Sequence, residues 1–129
     1  MHVTGKHDGY PDGSTIDADD KVWVAMWEGG CVIRYDPTSG KELLRIPIPG
    51  ARQVTSCAFG GKGLSTLFVT TASCGIPQAT LDRDQPNAGA LFAIDLKAHG
   101  VRGVPAPSFC LDDAANGSSK PSKKRARGA

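Results

Sequence analysis

Apolar and polar residues alternate over short stretches of this chain, and most stretches end in glycine, proline or aspartate. This spacing is typical of β-strands with one buried face that are joined by tight turns. Four such stretches lie in the first fifty residues, at positions 14–17, 21–26, 31–36 and 43–48. Because the connections between them are short, we predict that they form one four-stranded antiparallel sheet.

The same pattern then begins again, at residues 55–59, 66–71, 90–95 and, more weakly, 101–106. Residues 67–70 align with 22–25 and residues 91–95 align with 32–36, so the second unit carries extra residues in its loop 74–89. Repeated four-stranded units of about 40–50 residues indicate the blades of a β-propeller. We therefore predict an all-β fold, a partial β-propeller with about two four-stranded antiparallel blades, in residues 1–111. Residues 112–129 show no apolar periodicity and are predicted to form a disordered basic tail.

Two blades are too few to close a propeller, which needs about four to eight. Their outer faces would stay uncovered, and uncovered apolar faces favour association. We therefore expect the chain to be the C-terminal third of a longer protein, arising from an incomplete gene sequence or from a degenerate copy. Self-association through the uncovered blade faces is the expected behaviour of the chain by itself.

The net charge of +2 is unevenly distributed. Five basic residues and no acidic residue follow position 115, whereas the rest of the chain holds ten basic and thirteen acidic residues. The body therefore lacks the basic surface that nucleic acid requires, and only weak contact by the tail is expected. Residues 124–127, Lys-Arg-Ala-Arg, match a nuclear-import signal, and a solvated tail without a partner is the alternative.

The cysteines and the longest apolar run predict a cytoplasmic protein. Four cysteines are widely spaced, without a C-x-x-C pair or a matching pair of histidines. No apolar segment of a secretory signal precedes them, so we interpret them as reduced thiols that are mostly buried. The longest apolar run, residues 22–27, is far shorter than the roughly 20 residues of a membrane-spanning helix.

Several short motifs occur in an order that is more specific than any one of them. The chain resembles the C-terminal part of the regucalcin (senescence marker protein) and gluconolactonase family over residues 9–106. The motifs are Pro11-Asp12-Gly13, Ile16-Asp17, Val22-Trp23-Val24-Ala25, Gly29-Gly30, Val32-Ile33-Arg34-Tyr35-Asp36-Pro37, Gly40, Thr55-Ser56-Cys57-Ala58-Phe59-Gly60-Gly61, Leu67-Phe68-Val69-Thr70 and Ala88-Gly89-Ala90-Leu91-Phe92.

The resemblance implies a six-bladed propeller that holds one divalent cation in its central channel and hydrolyses sugar lactones. Calcium or zinc is the expected cation, with manganese or magnesium as alternatives. It also implies that Asp12 is a metal ligand and the catalytic proton donor or acceptor. The family's other protein ligands, a glutamate and an asparagine, belong to blades outside this sequence. The expected function is thus a metal-dependent lactonase acting on a small-molecule lactone such as gluconolactone, present as a fragment without activity alone.

The residues also allow less specific interpretations. Pro-Asp-Gly is a common turn sequence, and the alternative function is a non-enzymatic remnant or a binding module of the same fold. Residues 17–20 look like the start of a calcium-binding loop but lack its glycine and later glutamate, so a hairpin turn is predicted there. The three histidines show no metal-binding spacing. Trp23 and Trp27 are expected to pack between the blades, and Trp27 is also a candidate for the channel mouth.

Overall fold

The computed structural model of this protein describes residues 9–108. These residues form seven strands and one short α-helix, together with two 3-10 turns, Lys62–Leu64 and Lys97–His99. The strands are β1 (Tyr10–Ile16), β2 (Val22–Trp27), β3 (Cys31–Tyr35), β4 (Glu42–Pro47), β5 (Gln53–Gly60), β6 (Thr66–Ala72) and β7 (Leu91–Asp95), and helix α1 is Gln78–Arg83. The all-β prediction is correct.

The first four strands form one antiparallel sheet in the order β1-β2-β3-β4, as the sequence predicts. The first strand is longer than expected and begins at Tyr10, so the Pro-Asp-Gly motif lies within β1 rather than ahead of it. Tyr10 pairs with Trp27 and Pro11 pairs with Met26. A proline is compatible with this position because β1 is the edge strand of its sheet and needs no hydrogen bond on its outer side.

The second sheet has three strands, in the order β5-β6-β7, so the prediction of a second four-stranded blade is wrong. The expected strand at residues 101–106 is reduced to one isolated bridge, between Gly103 and Asp17. The chain after β7 turns back to the first sheet, where Arg102 accepts a 2.9 Å hydrogen bond from the amide of Ala18. Prolines at positions 105 and 107 have no amide hydrogen to donate, which prevents a regular ladder there.

The loop between β6 and β7 contains α1, which the sequence analysis did not predict. The loop is fixed to the segment that links the two sheets. Gln85 Oε1 accepts a 3.0 Å hydrogen bond from the amide of Arg52, and the amide of Asn87 donates to the carbonyl of Gly50 at 2.9 Å. These contacts explain why the inserted residues are ordered although α1 buries none of its own side chains.

The main core lies between the two sheets and is centred on Trp23, which is fully buried. The indole packs edge-on against Phe59 of β5, with ring centroids 5.7 Å apart and an angle of 90° between the planes. The prediction that Trp23 packs between the sheets is confirmed. The other buried members of this core are Ala25, Val32, Ile48, Ala51, Val54, Cys57, Leu67, Val69, Leu96 and Val101.

The prediction that the cysteines are mostly buried agrees with the three that the structure describes. Cys31 and Cys57 are buried, whereas Cys74 is exposed. Cys110 and the basic tail, with its import motif at 124–127, lie outside the described residues. The domain boundary at residue 111 lies there as well and stays a prediction. None of the helices in residues 9–108 is long and apolar enough to span a bilayer.

Candidate functional site

Asp12 lies at a β-bulge in β1. Pro11 pairs with Met26 and Ser14 pairs with Val24, so β1 has one residue more than β2 between these two pairs. An extra residue of this kind interrupts the regular alternation of the strand and re-aims the side chain next to it. The Asp12 side chain is exposed and forms no hydrogen bond or ion pair with the residues that the structure describes. No residue in the range 9–108 therefore engages its carboxylate.

Gly13 brings this bulge into close contact with the second sheet. A Cβ atom at Gly13 would lie 2.6 Å from Ser56 Cβ and 2.8 Å from Ser56 Cα in β5. Real Cβ atoms do not approach other heavy atoms so closely, so only glycine fits here. The backbone next to Asp12 therefore lies directly against β5, and β1 and β5 are the adjacent edge strands of the two sheets.

The second sheet has a bulge at the matching place. Val54 pairs with Thr71 and Ser56 pairs with Thr70, which leaves Thr55 as the extra residue of β5. Thr71 aligns with Met26 in the repeat, so Thr55 takes the position that Asp12 has in β1. Its hydroxyl lies 2.7 Å from that of Thr70 in the next strand. The sequence analysis did not identify Thr55 and Thr70 as candidate site residues. An alignment of β1 with β5 would have shown that Thr55 takes the position of Asp12.

A polar cluster lies at the same end of the two sheets, where β2 and β6 end and β5 begins. Gln53 is 5% exposed and its Nε2 donates to Glu28 Oε1 at 3.1 Å and to the carbonyl of Cys74 at 2.9 Å. Arg52 Nε lies 3.7 Å from the second carboxylate oxygen of Glu28. Glu28 has a φ of 60°, a left-handed backbone conformation that residues other than glycine rarely adopt. These contacts hold the turn after β2 against the start of β5.

One carboxylate does not make a metal site. Calcium takes about six to eight oxygen ligands, and zinc takes about four ligands. Within residues 9–108 the structure contains no group of three or more histidine, cysteine, aspartate or glutamate side chains that could hold an ion. The described residues therefore do not fit a resident cation by themselves, and Asp12 could supply only part of its coordination.

Asp17, at the turn of the first hairpin, has a structural role. Asp17 is fully buried and accepts hydrogen bonds from Trp23 Nε1 and Arg34 Nε, and from the amides of Asp19 and Lys21. Burial alone raises the pKa of Asp17, but the hydrogen bond from Arg34, followed by those from Trp23 and the two amides, lowers it overall. The prediction of a hairpin turn at residues 17–20 is confirmed.

Cys57 is not a nucleophile candidate. Its thiol is buried, and this burial raises its pKa from 9.0 to about 11, which keeps it protonated at neutral pH. Ser56, beside it in β5, is exposed. Its side chain lies against Gly13, at the contact between β1 and β5.

Comparisons with known proteins agree with this arrangement. The chain matches the SMP-30/Gluconolactonase/LRE-like region over residues 1–73. It is 43% identical to regucalcin of Danio rerio over 104 residues, which cover 81% of this chain and 34% of that protein. It is 44% identical over 98 residues to a Bacillus subtilis (strain 168) protein with the provisional name sugar lactone lactonase YvrE, covering 76% of this chain and 33% of that protein.

A solved structure shows the same fold. The match is a calcium-binding protein, regucalcin, from Agrobacterium tumefaciens str. C58, with 34% identity and a TM-score of 0.68. It covers 78% of this chain and 32% of that chain. The chain thus spans about one third of the length of the relatives it matches. Because the family region covers more than half of its residues, this chain belongs to the SMP-30/gluconolactonase/LRE-like family.

Proposed function

We propose that this chain supplies part of the active site of a lactonase, which hydrolyses a sugar lactone such as gluconolactone to the aldonic acid. The observation that carries the proposal is the position of Asp12. An edge-strand bulge presents its carboxylate without a protein partner among the described residues, beside the contact between β1 and β5. Membership of the family and the provisional name of the Bacillus relative support the reaction class.

Asp12 has the chemistry that this reaction needs. Hydrolysis of a lactone begins when water adds to the ring carbonyl, and a carboxylate within hydrogen-bonding distance accepts the proton that the water loses. The ring C–O bond then breaks, and the same proton passes to the leaving alkoxide, which yields a hydroxy acid.

The proposal includes one divalent cation, calcium or zinc, with Asp12 as one of its ligands. A cation would polarise the lactone carbonyl and stabilise the oxyanion. Its remaining ligands would come from outside residues 9–108, since these residues hold no group of three ligating side chains. The hydroxyls of Thr55 and Thr70, at the matching bulge, are the polar groups that we assign to the rim of the site.

A chimera tests the lactonase proposal. Residues 9–106 of this chain would replace the matching third of the Bacillus relative, with which it shares 44% identity. We expect metal-dependent hydrolysis of gluconolactone by the chimera and none by the 129-residue chain alone. Asp12→Asn should lower kcat of the chimera by about 10²-fold or more, because the proton acceptor is lost.

Asp20→Asn is the matched control. Asp20 lies at the opposite end of the β1–β2 hairpin, with a left-handed φ of 56° that asparagine also tolerates. This variant should keep the rate of the parent chimera. If the Asp12→Asn chimera hydrolyses gluconolactone as fast as the parent, Asp12 is not the base and the proposed role is wrong.

A second candidate function is a binding module of the same fold without catalytic activity. The absence of a three-ligand group within residues 9–108 favours it. The two functions differ in the chimera experiment. A folded chimera that binds the lactone but does not turn it over would support the binding module.

A further inference from the structure

Helix α1 and the residues that follow it form one side of a polar cleft beside the end of β6. The cleft has a volume of about 400 Å³, which is within the range of about 300–1,000 Å³ that is usual for small-molecule sites. Asp12 is not among the residues that line it. Its lining includes the polar residues Ser73, Gln78, Asp82 and Gln85 and the apolar residues Leu81 and Ala88.

Gln85 is the polar side chain that the fold holds in place at this cleft. It is 7% exposed, and its Oε1 accepts the 3.0 Å hydrogen bond from the amide of Arg52. This bond fixes which end of the side-chain amide is the acceptor, so Nε2 is the end left to donate. Within residues 9–108 Nε2 has no hydrogen-bond partner, and it is not enclosed by them. A largely buried side chain with a free polar atom calls for a water or a ligand as its partner.

Two more polar groups of the cleft keep free hydrogen-bonding capacity. Asp82 Oδ1 accepts a 2.8 Å hydrogen bond from Gln78 Nε2, whereas Oδ2 has no partner in the part of the chain that the structure describes. The Ser73 hydroxyl also has no partner there. Gly89 lies beside it, where a Cβ atom would be 3.5 Å from Ser73 Oγ, so the missing side chain leaves the hydroxyl uncovered. The cleft thus combines a fixed donor, a carboxylate acceptor and a hydroxyl group that can do both.

The charge of the cleft disfavours anions. Segment 73–89 holds three charged residues, Asp82, Arg83 and Asp84. Arg83 Nη2 lies 2.7 Å from Asp84 Oδ2, so these two charges offset each other. Asp82 forms no ion pair within residues 9–108, which leaves the cleft with a negative charge. A neutral ligand with hydroxyl groups can donate to this carboxylate without bringing a second negative charge near it.

We propose that this cleft binds a neutral polyol, either a cyclic sugar or an open-chain sugar alcohol. One ligand hydroxyl donates to Asp82 Oδ2, and a neighbouring ligand oxygen accepts from Gln85 Nε2 and bonds with the Ser73 hydroxyl. The C–H groups of the ligand contact Leu81 and Ala88, so the apolar and polar parts of the lining are both used. This site goes beyond the proposed lactonase function and does not depend on it.

Nuclear magnetic resonance titration of the 129-residue chain, labelled with nitrogen-15, tests the site. D-glucose and D-sorbitol are the two neutral probes, and D-gluconate is the anionic one. We expect the neutral probes to shift the side-chain amide signals of Gln85, with a dissociation constant of about 1–10 mM because the cleft is open and the contacts are few. The tighter of the two tells a cyclic sugar from an open-chain one. D-gluconate should bind about fivefold more weakly, because its carboxylate is repelled by Asp82.

Two substitutions remove one polar group each and keep the local hydrogen bonds. Gln85→Glu retains an acceptor for the Arg52 amide but removes the donor, and it should weaken binding by about tenfold or more. Asp82→Asn retains an acceptor for Gln78 but removes the charge, and it should weaken binding by about three- to tenfold. Asp84→Asn is the matched control, because Asp84 follows α1 closely but does not line the cleft. Circular dichroism establishes that each variant is folded.

The proposal fails if neither neutral probe shifts these signals at about 100 mM, ten times the weakest expected dissociation constant. Unchanged affinity in Asp82→Asn also overturns it, as does a stronger response to D-gluconate or to calcium chloride. Asp12→Asn should bind the polyol as tightly as the wild-type chain. Loss of binding in this variant would place the polyol at Asp12 instead of in the cleft. Failure of Asp12 as the base in the chimera, in turn, leaves the polyol site intact.

Discussion

The indole Nε1 of Trp23 donates a 2.8 Å hydrogen bond to Oδ2 of Asp17, and both side chains are fully buried. The same carboxylate oxygen accepts from Arg34 Nε at 2.7 Å, and Arg34 also lies 6.0 Å from the centre of the Trp23 ring. Asp17 follows β1 and bridges to Gly103, after the last strand. Asp17 therefore connects the first hairpin, the core between the sheets and the final described segment.

Asp17→Ala should therefore destabilise the fold by about 3–5 kcal/mol, because it leaves a largely buried Arg34 and the indole N–H without their acceptor. Urea unfolding followed by tryptophan fluorescence measures this change. Asp19→Ala is the control, since Asp19 also pairs with Arg34 but its side chain is 67% exposed. It should cost no more than about 1 kcal/mol. If the two substitutions lowered the free energy of unfolding equally, the burial of Asp17 would not explain its contribution to stability.

Acid should weaken the fold through Asp17 and Asp36. The hydrogen bond from Ser39, followed by that from Lys21, lowers the pKa of Asp36 from 3.8 to about 2, and the pKa of Asp17 is also lowered. A carboxyl whose pKa is lower in the folded state stabilises the fold above its unfolded pKa, and this contribution is lost as the pH falls through the folded value.

The urea midpoint should accordingly be steady near neutral pH and decrease as the pH falls from about 4 to about 2. Asp36→Asn should make this decrease shallower, because the variant has one fewer group whose pKa is lower in the folded state. Identical pH profiles for the wild-type chain and the variant would show that Asp36 does not contribute.

The thiols should differ sharply in reactivity. Cys74 is exposed, whereas Cys31 and Cys57 are buried and burial raises the pKa of Cys57 to about 11. In a Cys110→Ser background, a disulfide reagent at pH 8 should modify one thiol of the native protein rapidly, and the other two only in denaturant. Peptide mass mapping identifies the modified residue. Fast modification of Cys57 in the native state would contradict the packing between the sheets.

Gly13→Ala should destabilise the contact between β1 and β5 by about 1–3 kcal/mol, because the new methyl group collides with Ser56. Ser56→Gly in the same chain should restore part of this loss, since it removes the side chain that the methyl group meets. A double-mutant cycle by urea unfolding measures the coupling. Additive effects would mean that the two residues do not touch. In the chimera, Gly13→Ala should also reduce activity by displacing Asp12.

Some features could be predicted because they depend on neighbouring residues. The turn after β3 follows from Asp36, Pro37 and Gly40: Asp36 accepts from the amide of Thr38, and Gly40 has a φ of 70°. The left-handed φ of Asp20 is likewise compatible with the short hairpin that the sequence predicts. The site was only partly predictable. Asp12 was found through its motif, whereas Thr55 was missed because its equivalence to Asp12 depends on the bulge in β5, which its motif does not reveal.

The sequence by itself determined where the chain alternates between apolar and polar residues, and therefore most of the strands, the tight turns and the family. The tertiary structure decided that the second sheet has three strands, that α1 forms in the long loop, and that bulges at Asp12 and Thr55 lie side by side. The physical reason is the range of the interactions. Alternation and turns are local, whereas bulges, the bridge from Gly103 to Asp17 and the contact between Gly13 and Ser56 depend on residues that meet only when the two sheets pack.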